Sequence, residues 1–168
     1  MAPRSFAAML SIRILAVGKI KEPYLRQGLA EYARRLTAFL RLRMLELPDE
    51  KLPERFSSAE LKQAKELEGR RLLQAVREGE YVIALDIAGE QLSSEQFADK
   101  LSHLALDGQS SMTFIIGASA GLSGEVLRRA DLRLSFGLFT YPHQLMRLIL
   151  LEQIYRACKI NRGEPYHK

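Results

Sequence analysis

Five times along the chain a short apolar run is followed by a helical pattern, and this alternation restricts the fold more than any other feature. The runs occupy residues 12–17, 41–47, 81–85, 112–116 and 132–136. Three of them, 12–17, 81–85 and 112–116, are nearly continuous in apolar residues. A strand with one wet face alternates, whereas a strand apolar throughout is covered on both faces. The second run, Arg-Leu-Arg-Met-Leu-Glu-Leu, does alternate and reads as half-buried. Strand–helix units repeated in this way call for an α/β fold, a mostly parallel sheet with helices on both faces.

The intervening helices are legible from their ends. Residues 22–40 place Leu25, Leu29, Tyr32, Ala33, Leu36, Phe39 and Leu40 at the three-and-four spacing of one apolar face, with Arg34 and Arg35 closing the helix. Ser57 with Glu60, and Ser93 with Gln96, are capping boxes that open helices running to about residues 77 and 105. The first of these two is highly charged, which reads as a solvated face around a narrow stripe of Leu61, Ala64, Leu67, Leu72, Leu73 and Val76. Residues 86–90, with Gly89, read as a turn. Ser123 caps a short helix through residue 130.

At 168 residues the chain is expected to form a single domain over 12–168. Residues 1–11 precede the first strand and are expected to be a disordered extension, or a prelude to a true start at Met9. A net charge of +5 is compatible with a polyanionic partner without identifying one. No apolar run is long enough to span a membrane. One cysteine, Cys158, falls inside an apolar helix, which fits core filler in a reducing, cytoplasmic setting. Three histidines without metal-ligand spacing predict no metal site.

Chemistry-bearing residues gather in the last third. The loop 117–121, Gly-Ala-Ser-Ala-Gly, follows a strand and precedes a helix, so it is either a plain tight turn or a close backbone approach to a ligand. It is not a dinucleotide or phosphate-loop fingerprint. Residues 134–147 run from a strand through Phe139, Thr140 and Tyr141 to Pro142, which suits the first turn of a helix, then to His143 and Arg147. The helix over 143–160 is apolar almost all round, so it is either a central core helix or the contact with a partner subunit. Within it Glu152 and Arg156, four apart, share a face and can pair. The tail ends in Tyr166 and His167 beside Arg162 and Lys168, an arrangement able to stack on an unpaired RNA base.

Taken together, Ile14-Leu-Ala-Val-Gly-Lys19, Ile115-Ile-Gly-Ala-Ser-Ala-Gly-Leu122, Phe139-Thr-Tyr-Pro-His-Gln-Leu-Met-Arg147, Glu152-Gln-Ile-Tyr-Arg156 and Arg162-Gly-Glu-Pro-Tyr-His-Lys168 carry a resemblance over residues 12–168. The chain resembles the bacterial large-subunit rRNA pseudouridine N3-methyltransferases of the SPOUT superfamily. One departure is visible: Ala118 stands where that family usually has a second glycine, and its methyl narrows the loop's conformations. The resemblance implies a sheet whose C-terminal segment is threaded into a trefoil knot. It implies S-adenosylmethionine bound in that knot, bent, by Leu85, Gly117, Phe136, Gly137, Leu138, Phe139, Thr140 and Tyr141. It implies a homodimer joined through the last helix, and 23S rRNA of the assembled 70S ribosome as substrate.

Methylation at a ring N3 requires alignment of donor and acceptor and loss of a proton. His143 and His167 have suitable intrinsic pKa. The expectation is that His167 with Tyr166 meets the target base, His143 shapes the loop, and Arg147, Glu152 and Arg156 position the nucleotide or brace the site. The rival expectations are a SPOUT enzyme acting on tRNA, a non-catalytic RNA-binding assembly factor, and a nucleotide-binding α/β enzyme.

Overall fold

The computed structural model describes residues 10–166. The proposed extension therefore lies outside the described residues up to position 9. Its expected end is too late, because Ser11 already belongs to the first strand and Leu10 is buried. Five strands form one sheet: β1 (Ser11–Val17), β2 (Arg41–Leu47), β3 (Tyr81–Gln91), β4 (Ser111–Ile116) and β5 (Leu132–Ser135). The order is β2-β1-β4-β3-β5, and every pairing is parallel. The α-helices are α1 (Pro23–Leu36), α2 (Ser58–Ala75), α3 (Ser94–Leu106), α4 (Gly124–Arg129) and α5 (His143–Asn161).

The two faces of the sheet have separate cores. On one, Ile12, Ile14, Ile83, Phe114 and Ile116 meet Leu25 and Leu29 of α1, Phe97 and Leu101 of α3, and Leu150 and Ile154 of α5. On the other, Leu15, Val17, Val82 and Ile115 meet Leu72 of α2 and Val126 of α4. Successive side chains of a strand point to opposite faces, so a strand feeding both cores must be apolar throughout. The alternating β2 is an edge strand.

Helix α5 lies between α1 and α3. Its inward face, with Leu150, Leu151, Ile154, Ala157 and Cys158, is buried. Each such aliphatic side chain contributes about 1.5–3 kcal/mol through burial. Leu145, Ile149, Glu152 and Arg156 remain only half-buried on a shared side. The core reading therefore accounts for one side of the helix and leaves the other open. Pro142 is the N-cap rather than a residue of the first turn.

Local end signals were sound. Both capping boxes form, and Ser123 accepts the Val126 N–H. The expected turn at 86–90 is different. β3 continues through it to Gln91, with its register against β5 shifting between Leu85 and Glu90. Residues 86–89 are an excursion inside one strand. A Cβ on Gly89 would lie 2.6 Å from the Arg133 carbonyl oxygen, so only glycine admits this approach. The charged α2 also buries Glu68, which periodicity had assigned to solvent.

A glycine-walled pocket at the carboxyl ends of the strands

In a parallel sheet the carboxyl ends of the strands are where loops converge and ligands bind. Here a cavity of about 810 Å³ opens at that edge. Leu85 contributes from β3, and the excursion after it brings Asp86 and Ile87. Ile116 closes β4, followed by Gly117, Ala118 and Ser119. After β5 come Phe136, Gly137, Phe139, Thr140 and Tyr141. His143 and Met146 enter from the first turn of α5, and Lys65 reaches in from α2.

The 117–121 loop is folded tightly on itself. A Cβ at Gly117 would sit 3.0 Å from Leu122 Cδ2 and 3.1 Å from the Gly121 carbonyl, so this wall is bare backbone. Gly121 has φ +84°, a conformation that favours glycine, and its N–H donates to the Ala118 carbonyl at 2.9 Å. Among the described residues no non-glycine has positive φ, so Ala118 keeps an ordinary backbone, and its methyl packs into the α2–α4 core. The departure at 118 therefore leaves the loop intact. On the opposite wall Gly137 takes φ +107°, its N–H donating to Ser135 Oγ at 3.1 Å, while that hydroxyl donates to the Ile87 carbonyl at 2.9 Å. Ser135 thereby joins the β3 excursion to the loop after β5.

Leu138 is 82% exposed and is not among the lining side chains; only its main chain could take part. Phe139, 81% exposed, sits on the rim. The cavity is apolar in its depth and sparsely polar, with bare main chain on two sides, the usual character of a small-molecule site. These features fit S-adenosylmethionine, whose adenine needs apolar walls and backbone partners.

His143 has its pKa held below the usual imidazole value, first by burial and then by the Arg147 guanidinium, with Asp49 acting the other way. Burial and Arg147 both favour the neutral imidazole, the form able to accept a proton. Arg147 does not reach the cavity. It is 1% exposed, donates to Glu46 Oε2 at 2.6 Å, and donates to the carbonyls of Val17 and Gly18 at 3.1 and 2.8 Å. A nucleotide could not reach it, so its part is to brace α5 against the ends of β1 and β2.

The remaining expected residues gather elsewhere. Glu152 and Arg156 do pair, at 3.0 Å. The Tyr166 hydroxyl donates to the other Glu152 oxygen at 2.9 Å, and its ring lies under the Arg156 guanidinium and edge-on to Tyr155. Burial and the Glu152 carboxylate push the Tyr166 phenol well above its ordinary pKa, so it stays a donor. Tyr166 is thus an anchor for the tail, with its hydroxyl committed. His167 lies outside the described residues. At 1.5 Å per residue, Arg156 is about 20 Å along α5 from His143. Within one chain the expected site therefore divides into a pocket and a distant tail cluster.

Lys65, Asp86, Ile87 and Met146 were not anticipated at the pocket. Asp86 and Ile87 had been read as a turn, and Lys65 as one charge of a solvated helix. Cys158 is buried with its thiol pushed up to about 12, consistent with core filler. Among the described residues there is no metal-binding cluster, and no helix is long and apolar enough to cross a membrane.

Comparison with known proteins adds to this geometry. A family described as "Predicted SPOUT methyltransferase" matches residues 10–167. The protein named ribosomal RNA large subunit methyltransferase H of Carboxydothermus hydrogenoformans is 59% identical over 159 residues, covering 95% of this chain and 100% of that protein. The protein of the same name from Enterococcus faecalis is 52% identical over the same shares. Among solved structures, the putative methyltransferase Lpg2936 from Legionella pneumophila with bound SAM aligns at a TM-score of 0.48 and 12% identity, over 88% of this chain and 66% of that one.

Proposed function

This chain belongs to the SPOUT methyltransferase family, and on that premise we propose that it methylates large-subunit ribosomal RNA from S-adenosylmethionine, at N3 of a pseudouridine in 23S rRNA of the assembled ribosome. The observation that carries the reading is the glycine-walled pocket at the strand ends, found in a chain that matches proteins of that named activity over their whole length. Such a reaction belongs to the cytoplasm, where ribosomes are. In line with the family, the C-terminal segment after β5 is proposed to thread into a trefoil knot.

S-adenosylmethionine supplies, when bound, a methyl on a sulfonium sulfur that is already electrophilic. The chain's task is to hold donor and acceptor in line and to take the N3 proton. The bare backbone at Gly117, the main chain of 136–141 and Leu85 would hold the adenosine part. Neutral His143 forms the pocket wall beside Gly18. Tyr166 fixes the tail on Glu152 and Arg156, leaving His167 to meet the target base.

The separation of pocket and tail within one chain supports a homodimer in which one copy's tail serves the other's pocket. The half-buried side of α5, with Leu145 and Ile149 near the pocket end, supplies an apolar surface for that pairing. Two copies facing a preformed ribosomal surface can share recognition, which suits a small chain of modest charge.

The test offers methyl-labelled donor with 70S ribosomes lacking the modification, isolated large subunits, and bulk tRNA. Label in 23S rRNA of 70S ribosomes, mapped to one pseudouridine, is the expected result. Label in tRNA, or RNA binding without saturable donor binding, rejects the reading.

A further inference from the structure

Lys65 is the one full positive charge among the residues lining the pocket, and it comes from an element with no other residue there. Its neighbours on α2 project into water: Lys62 has an 80% exposed side chain and pairs with Glu66. Lys65 instead is half-buried and has no hydrogen-bond or ion-pair partner among the described residues.

Its position is fixed by tight packing one turn away. Gly69 shares the face of Lys65, four residues on. A Cβ at Gly69 would lie 2.3 Å from Ser123 Oγ and 3.1 Å from its Cβ, so α2 rests directly on the cap of α4. Glu68, 2% exposed, accepts the Glu50 N–H at 2.9 Å and ties the same turn to the loop after β2. Held so, the Lys65 stem runs over the 117–121 loop, its Cε 4.0 Å from where a Cβ of Gly121 would be. Lys65 thereby lines the cavity from across the backbone wall.

We propose that Lys65 is the cation that receives the α-carboxylate of S-adenosylmethionine and so sets the direction in which the donor lies. This rests on the donor-binding reading above and extends it. The donor is long and has one carboxylate. The pocket is apolar around its depth, leaving that carboxylate without an apolar-side partner, and its lining offers one ammonium. A charge-assisted hydrogen bond in a partly desolvated pocket is stronger than the same contact on the surface. A lysine serving RNA phosphates would stand free on the rim, as Lys62 does; Lys65 is folded over the donor-side loop.

The test is calorimetric and compares S-adenosylmethionine with its decarboxylated analogue, which keeps the adenosine and the sulfonium. For the unmodified protein the analogue is expected to bind about tenfold more weakly, the loss of one charge-assisted contact. Lys65→Ala should weaken binding of the full donor by a similar factor and leave the analogue unchanged. Lys65→Arg should restore part of the discrimination, since it keeps the charge. Because Lys65 has no protein partner, these variants should keep the parent's unfolding midpoint. Equal losses for both compounds in Lys65→Ala overturn the proposal. So does unchanged donor binding with a raised, salt-dependent KM for ribosomes, which would make Lys65 a phosphate contact. If the unmodified protein binds neither compound, the donor-binding reading itself fails, a result distinct from both.

Discussion

A guanidinium with almost no exposure must be matched by acceptors, because an unpartnered buried charge is far costlier than an exposed one. The two terminal nitrogens of Arg147 meet one carboxylate and two main-chain carbonyls at the ends of β1 and β2, while its buried Nε has no partner among the described residues. Replacing it with methionine keeps much of the volume but removes the donors to both carbonyls and leaves Glu46 with only the Ile20 N–H among the described residues. The loss should be about 3 kcal/mol, discounted because Glu46 is itself 43% exposed, and urea unfolding would register it. Donor affinity should fall as well, since the turn carrying His143 rests on the same contacts. In the sequence Arg147 could be flagged as a polar residue needing partners in an apolar helix. Its partners lie more than a hundred residues away, so its role as a brace could not be read. Glu152 and Arg156 were legible as a pair because four residues separate them. The sequence singles out Tyr166 as a base contact, whereas its hydroxyl is committed to Glu152, a contact no local pattern announces.

Elements defined by nearby residues were readable to within a few positions. The helix starts at Ser58 and Ser94 follow from capping boxes, which need only four consecutive residues. The exception is β3, where Gly89 looked like turn chemistry. There the deciding contact is with the Arg133 carbonyl, from a strand that pairs with β3 across the sheet. The strand leaves its ladder at Leu85, presents Asp86 and Ile87 to the cavity, and returns at Glu90. Gly89→Ala should force this excursion away from β5, at a cost of about 2 kcal/mol. The same substitution should weaken donor binding, because Ser135 links Ile87 to the opposite loop. A variant with an unchanged urea midpoint and unchanged donor affinity would show that the excursion is not needed.

The glycine-walled pocket and the Glu152–Arg156–Tyr166 cluster stand at opposite ends of α5, about 20 Å apart along the helix. Gly117→Val should force the 117–121 loop out of its donor-binding shape, because its side chain would collide with Leu122 and Gly121, and deletion of residues 165–168 should remove the tail; each alone should be inactive on ribosomes. Co-refolding the two should restore about a quarter of the parental activity, with half the dimers mixed and one site whole in each. If the tail served its own pocket, no activity would return. The fold class was legible because a buried parallel strand must be apolar on both faces. The strand order β2-β1-β4-β3-β5 was not, since neighbours are chosen by packing between distant segments and leave no local mark.

That order has a consequence for how the protein comes into being. β1 is made first, yet its inner neighbour is β4, with Ser11 opposite Ser111. A nascent chain holding β1 and β2 therefore has an open inner edge until β4, ending at Ile116, has emerged. Even then the pocket lacks the wall from 136–141 and the helix that Arg147 fastens to the end of β1. Such long-range closure slows folding. It also means that the donor site, whose walls come from β3, β4, β5 and the start of α5, cannot be assembled until the chain has been made through Met146, long after β1 has emerged.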